Sequence, residues 1–394
     1  MKMPDVKAPL RTGIAVVVTA AALMIGCDQR EAPFRSSVSV SEAMAAGDTA
    51  GYRRAETPRP FRFPKDHGPH PGYKTEWWYV TGNLETENGH HFGYQFTIFR
   101  NALAPPDSTR ERSSNWAADQ LYMGHFALTD VRGERFYNFE RFSRGAAGLA
   151  GATASDSVRV WIEDWWISGT GGKLFPMTLH AEADDVSVRL RLRPTKPLVR
   201  QGERGLSQKG PGAGNASYYY SFTRLRTSGR IRAGGERFRV EGRSWLDREW
   251  STSALGPDQE GWDWFALQLG NGYDLMFYRL RRKDGSASPY SEGVLVGPDG
   301  EATRLDAGDV RLKVLERWTS ERGADYPVRW HLRVPGEDLR LTASAYLNDQ
   351  ELDATVRYWE GAVRVDGTFR GEPVAGSGYL EMTGYGDQAG QPLS

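Results

Sequence analysis

The feature that most limits what this chain can fold into is a repeat. "GYQFTIFR" (residues 93–100) matches "GYDLMFYR" (272–279), and "YMGHFALTDVRG" from Tyr122 falls where "YSEGVLVGPDG" from Tyr290 falls. "FPMTLHAEADDVSVRLRL" from Phe175 matches "YPVRWHLRVPGEDLRLTA" from Tyr326. "GRIRAGGERFRVEGRSWLDRE" parallels "GTFRGEPVAGSGYLEMTG", with Trp245-Leu246 over Tyr379-Leu380. The openings also correspond, Glu76-Trp77 to Glu249-Trp250. One match arises by chance, whereas a series in the same order implies a duplicated unit of about 160 residues.

Each unit reads as strands. "RVWIEDWWISG", "SVRLRLRP", "DLMFYRLRRKDG" and "VRWHLRVPG" are short segments that end at Gly, Pro or Asp-Gly turns, and no amphipathic helix stands out. The 45 glycines and 13 tryptophans agree, because frequent turns use the first and pleated surfaces accept the second. About eight strands per unit make an up-and-down barrel able to hold one small apolar ligand. The predicted fold is all-β: two lipocalin-like antiparallel β-barrels, or open half-barrels, packed together over residues 61–243 and 244–394.

The N-terminus carries an address. Lys2, Lys7 and Arg11 precede an apolar run, residues 13–26, which is too short to span a bilayer comfortably. The run closes on "MIGC", the form of a bacterial lipobox, and Cys27 is the sole cysteine, so no disulfide can form within the chain. The expectation is a lipoprotein signal peptide over residues 1–27, lipidation at Cys27, and a flexible tether over 28–60. The body would then face the periplasm from the inner or outer membrane. With 50 basic and 50 acidic residues the chain has no positive surplus to offer nucleic acid. No histidine pair shows metal spacing and no Gly-x-Ser-x-Gly elbow occurs, so neither a metal, a cofactor nor a serine nucleophile is expected.

Candidate chemistry gathers where carboxylates stand beside tryptophans. In "HPGYKTEWWYVTGNL", strand alternation puts Glu76 and Trp78 on one face and Trp77 and Tyr79 on the other. One indole would fill the core, the other the domain contact, and Glu76 would be tied to an arginine across the sheet. In "SWLDREW", Trp245, Asp247 and Glu249 share a face; in "GWDWF", Asp263 lies opposite Trp262 and Trp264. A carboxyl among indoles has its pKa raised and can deliver a proton near neutral pH. Asp247 is the first candidate proton donor, because its strand joins the two units and ligand sites favour such junctions. Asp263 is the second. Glu76, Trp78, His125, Trp245, Glu249 and Trp264 are the candidate ligand contacts, with His125 pointing into the first barrel as a base or polar contact. Each has a structural alternative: a carboxylate bonded to an arginine, a satisfied buried histidine, an indole filling a core.

"HPGYKTEWWYVTGNL", "GHFALTD", "EDWWISG", "YYYSFTRL", "GRSWLDREWSTSALG", "GWDWFALQL", "LMFYRLRRKDG" and "YWEGAVRVDGTFRG…GSGYLEMTGY" together resemble the AttH and carotenoid 1,2-hydratase (CrtC-like) family over about residues 61–385. The resemblance implies a pair of lipocalin-like domains, and in one branch hydration of isoprenoid double bonds by an acidic proton donor aided by aromatic residues. Its secreted branch often accompanies an ABC transporter permease. Two functions follow from this. One is a membrane-anchored lipoprotein that binds an apolar, isoprenoid- or lipid-like molecule. The other is a hydro-lyase that adds water to an isoprenoid double bond. A filled interior without a pocket would favour a scaffold over both.

Overall fold

The computed structural model describes residues 49–106, 118–253 and 255–385, and within them the regular structure is almost wholly antiparallel strand. Strands are numbered in chain order. The first sheet runs β4 (Arg135–Arg144), β3 (Gln120–Asp130), β2 (His91–Ala102), β1 (Thr75–Glu85), β13 (Glu236–Ser251), β12 (Ala216–Ala233), β9 (Val186–Pro194), β8 (Lys173–Ala183), β7 (Trp165–Thr170), β6 (Arg159–Ile162) and β5 (Ala150–Thr153). The short β10 (Val199–Arg200) and β11 (Leu206–Gln208) pair with β12.

The second sheet runs β17 (Ala302–Asp306), β16 (Glu292–Val296), β15 (Asp274–Arg282), β14 (Gln259–Leu269), β23 (Glu372–Thr383), β22 (Tyr358–Phe369), β20 (Leu339–Ala345), β19 (Asp325–Val334) and β18 (Arg311–Thr319). β21 (Glu351–Leu352) pairs with β22.

Laid against each other, the two orders agree strand for strand from β4/β17 to β7/β18, with β5 and β6 extra in the first sheet. That is the duplication in three dimensions. One correspondence changes. The counterpart of β1 is β14, and that of β13 is β23, so Glu249 on β13 is not the equivalent of Glu76 on β1. The repeated Glu-Trp dipeptide is a coincidence between neighbouring strands of one sheet, where Trp77 lies opposite Glu249.

The first sheet curls until its edges almost meet. Arg141 of β4 stacks its guanidinium 4.3 Å from the Trp165 ring and donates to Glu182 O at 2.9 Å, bridging the gap. Phe92, Phe96, Phe126, Trp165 and Leu190 fill the interior, so this barrel is packed rather than hollow. The second sheet is a half-barrel around Phe265, Trp330, Leu341 and Trp359.

The outer faces of the two sheets pack against each other through a third cluster containing Tyr79, Tyr219, Trp245, Trp264, Met276 and Tyr379. The approach is close at Gly93 of β2, where an added Cβ would lie 2.3 Å from the Ala362 Cβ on β22. Asn83 donates to Gly378 O at 2.9 Å, and buried Lys196 pairs with Asp274 at 2.8 Å, so polar groups also lock the contact.

Two boundaries differ from the sequence expectation. β13 continues to Ser251 within the first sheet, so the units meet between Ser251 and Gln259 and not at 244. Residues 53–60 do not act as tether: Ala55 is buried, Arg53 N donates to Gly72 O at 2.8 Å, and Thr57 O accepts from Tyr218 at 2.9 Å. Cys27 and the signal segment lie outside the described residues. Among the described residues no helix is long and apolar enough to cross a membrane.

Candidate active site between the two sheets

Between those packed faces lies a cavity of about 340 Å³, within the usual range for a small-molecule site. The first sheet lines it with Trp77, Tyr79, Phe99, Met123, His125 and Asp247, the second with Trp262, Trp264, Tyr278, Tyr358 and Glu381. The site thus belongs to neither barrel interior. A roomier groove of about 720 Å³ is lined by charged residues such as Arg226, Arg239 and Glu241 and has no aromatic wall.

The alternation of β1 decides which tryptophan reaches the cavity. Trp77 and Tyr79 face it, while Glu76 and Trp78 turn into the first barrel. There the Trp78 indole donates to His67 O at 2.9 Å beneath the Arg248 guanidinium, 3.9 Å from its ring. Glu76 is fully buried, accepts from Arg100 and Arg248, and accepts from His70 N at 2.9 Å. Burial opposes its charge, yet the two guanidiniums hold its carboxyl well below the usual glutamate value. Glu76 and Trp78 are therefore core residues and not ligand contacts.

Asp263 is corrected in the same way. It is buried on the inner face of the second sheet, bonded by Arg279 at 2.6 Å and Tyr385 at 2.7 Å. An arginine-bound carboxylate is a poor proton donor, and Asp263 does not line the cavity. His125 points away from the first barrel and lines the cavity, its Nδ1 2.6 Å from the Tyr358 hydroxyl and its Nε2 3.1 Å from Glu140.

Asp247 meets the requirements. Its Oδ1 accepts from Ser221 Oγ at 2.5 Å and from Trp245 Nε1 at 2.6 Å, and its Oδ2 from the Tyr219 hydroxyl at 2.5 Å. All three donors are neutral. Trp245 sits behind Asp247 and orients it without lining the cavity. Burial, aided by the nearby Glu249 charge, pushes the Asp247 carboxyl up to about 7 against the three hydrogen bonds. Glu249 lies on the same face, 3.5 Å from Lys209, whose ammonium rests 3.8 Å from the Tyr278 ring centroid.

Other buried carboxylates are paired with cationic groups: Asp66 with Arg59, Asp274 with Lys196 and Arg224, Glu292 with Arg304. Among the described residues Asp247 has no such partner, and Glu381 and Glu360 lack one as well. Glu381, across the cavity on β23, accepts from Trp262 Nε1 at 2.7 Å. Burial pushes its carboxyl up to about 7, with the Asp247 charge adding to the effect. Carboxyls kept near neutrality in an apolar cavity can give and take protons at physiological pH. Glu381 was missed from sequence, although a signal existed: aligning Trp245-Leu246 with Tyr379-Leu380 places Asp247 over Glu381 at the next position.

A model of the AttH-like family matches residues 54–385. The chain belongs to the AttH-like family. A crystal structure of an AttH protein from Nitrosomonas europaea superposes with a TM-score of 0.74 at 36% identity, covering 84% of this chain and 99% of that one. Kievitone hydratase from Nectria haematococca superposes with a TM-score of 0.65 at 16% identity, covering 84% and 96%, and CghA with 0.52 at 14%, covering 86% and 97%. These last two share the fold. The curated proteins contain no match to the chain. Among the described residues no cluster of His, Cys, Asp or Glu has metal-binding geometry.

Proposed function

We propose that this AttH-like protein is an acid–base enzyme of the hydratase kind, acting on an apolar, unsaturated molecule held between the two sheets. The observation that carries this reading is Asp247: a buried carboxyl with only neutral hydrogen-bond donors, facing an aromatic cavity. In the proposed step the Asp247 O–H bond breaks and the alkene π pair forms a C–H bond, leaving a carbocation on the other carbon. The ring faces around it stabilise that charge through their quadrupoles. Water adds to the cation, and the proton it loses passes to the Glu381 carboxylate. When Glu381 releases its proton to solvent and Asp247 takes one up, the sum is addition of one water across the double bond. The fold shared with a hydratase supports the reading, and so does the balance of two carboxyls near 7.

The N-terminal "MIGC" supports placing the enzyme at the cell envelope by a lipid on Cys27. The same address supports the second reading, a carrier that holds an apolar molecule for an ABC transporter. One experiment separates them. The purified full chain is extracted with organic solvent, and mass spectrometry names any co-purified molecule. The chain is then incubated with that molecule, or with a panel of terpenoid alkenes, in heavy-oxygen water. Label in an alcohol product, lost in Asp247→Asn while binding persists, supports the hydratase. Binding without label in the wild-type chain supports the carrier.

A further inference from the structure

The mechanism above leaves one buried acid without a task. Glu360 on β22 is completely buried, and it stands directly opposite Glu381 in the strand register. Like charges at facing positions of adjacent strands repel, and here water does not reach Glu360 to screen them. Among the described residues no arginine or lysine pairs with either carboxyl, unlike Glu76, Asp263 and Asp274. Glu360 Oε2 accepts from the Tyr79 hydroxyl at 2.9 Å, while its Oε1 is buried without a hydrogen-bond partner. An oxygen left in that condition is a place for a proton. Besides Tyr79 of β1, the titratable groups acting on the pair are Asp247 and Glu249 of β13, with Tyr358 and Tyr379 on the pair's own strands.

From this geometry we infer that Glu360 and Glu381 form a dyad that shares one proton from neutral pH upward, with Glu360 retaining it and Glu381 presenting a carboxylate to the cavity. Two facing carboxyls cannot both ionise together, so Glu381 gives up its proton near 7 and Glu360 holds the other to higher pH. Burial, then the Glu381 charge, pushes the Glu360 carboxyl well above its ordinary value. Glu360 does not line the cavity and is a positioning residue: by holding the shared proton it leaves Glu381 as the member of the pair that ionises towards the cavity. The assignment of Glu381 as base rests on the hydratase reading; the shared proton does not.

The test is a pH titration of the full chain carrying carbon-13 at the glutamate carboxyls, read by NMR, with Glu360→Gln and Glu381→Gln to assign the signals. In the wild-type chain both resonances should move together at each step, the second step lying well above the first. In Glu360→Gln the upper step should vanish and Glu381 should move alone. Independent wild-type curves, or a Glu381 curve unchanged in Glu360→Gln, would overturn the dyad. If Glu360→Gln fails to fold, joint movement in the wild-type chain still decides. No substrate is needed, so a shared proton without hydration would sink the enzyme and leave the dyad standing.

Discussion

The Tyr79 hydroxyl crosses from the first sheet to Glu360 in the second, donating to its Oε2 over 2.9 Å. It is the polar tie between the strand that opens the chain's first unit and the carboxyl pair at the back of the cavity. Removing it in Tyr79→Phe leaves a fully buried carboxyl oxygen without its donor, a loss of about 1–3 kcal/mol. The fall in stability should appear in urea melts. The variant should also hold its Glu360 proton to still higher pH, because the bond being lost favours the charged form.

Adjacent tryptophans should answer differently to truncation. Trp78→Ala empties a core site of the first barrel and should cost about 3–5 kcal/mol, with ligand affinity unchanged once the protein is folded. Trp77→Ala enlarges the cavity wall and should lower affinity for an apolar ligand while costing less stability. Parallel melting curves and fluorescence titrations check both. Equal effects on binding would contradict the assignment of faces.

Glu76→Gln should be severely destabilising. It leaves Arg100 and Arg248, both buried, facing a neutral amide, and breaking such a pair typically costs about 3–5 kcal/mol. Because Glu76 lies outside the cavity, any product formed by the folded fraction should be the same. Denaturant unfolding with a concurrent activity assay measures the two separately.

Stability should fall on both sides of mildly acid pH. Glu76 has its pKa lowered on folding, so it stabilises the fold above the unfolded value of 4.5 and loses that contribution as pH falls towards its folded pKa. Asp247 goes the other way. Its pKa rises from 3.8 to about 7, so the folded state binds its proton more tightly and stability declines from about pH 4 to about pH 7. Glu381, raised from 4.5 to about 7, adds to the decline. Asp247→Asn should therefore be more stable than the wild-type chain at pH 8, with the advantage shrinking towards pH 4. Melting temperatures across that range test the sign.

Period-two alternation told which side chains share a face, and that much of the site was legible. It separated Trp77 from Trp78, grouped Trp245, Asp247 and Glu249, and set Asp263 against Trp262 and Trp264. It gave no indication which face was inside. His125 and Phe126 had to oppose each other, but only packing decides that Phe126 fills the barrel and His125 looks out. The same ambiguity misplaced Asp263, whose face turned out to be the core. Which segments of the two units correspond was readable from the duplication, except where a chance Glu-Trp dipeptide linked β13 to β1. Glu360 left no mark in sequence, because its role depends on standing beside Glu381 across a ladder.

Because the cavity lies between the outer faces of a packed barrel and a packed half-barrel, the cores inside each sheet are built from residues other than those that line the cavity. Each unit keeps its own core whatever molecule sits between them. Substitutions around the cavity cost stability at the contact between the halves and leave the two inner cores intact, so a lineage built on this plan can change its substrate while keeping its shape. The site also came into being only when two copies of the unit were joined, since either sheet alone supplies a single wall. In such a molecule the duplication is the event that created the pocket.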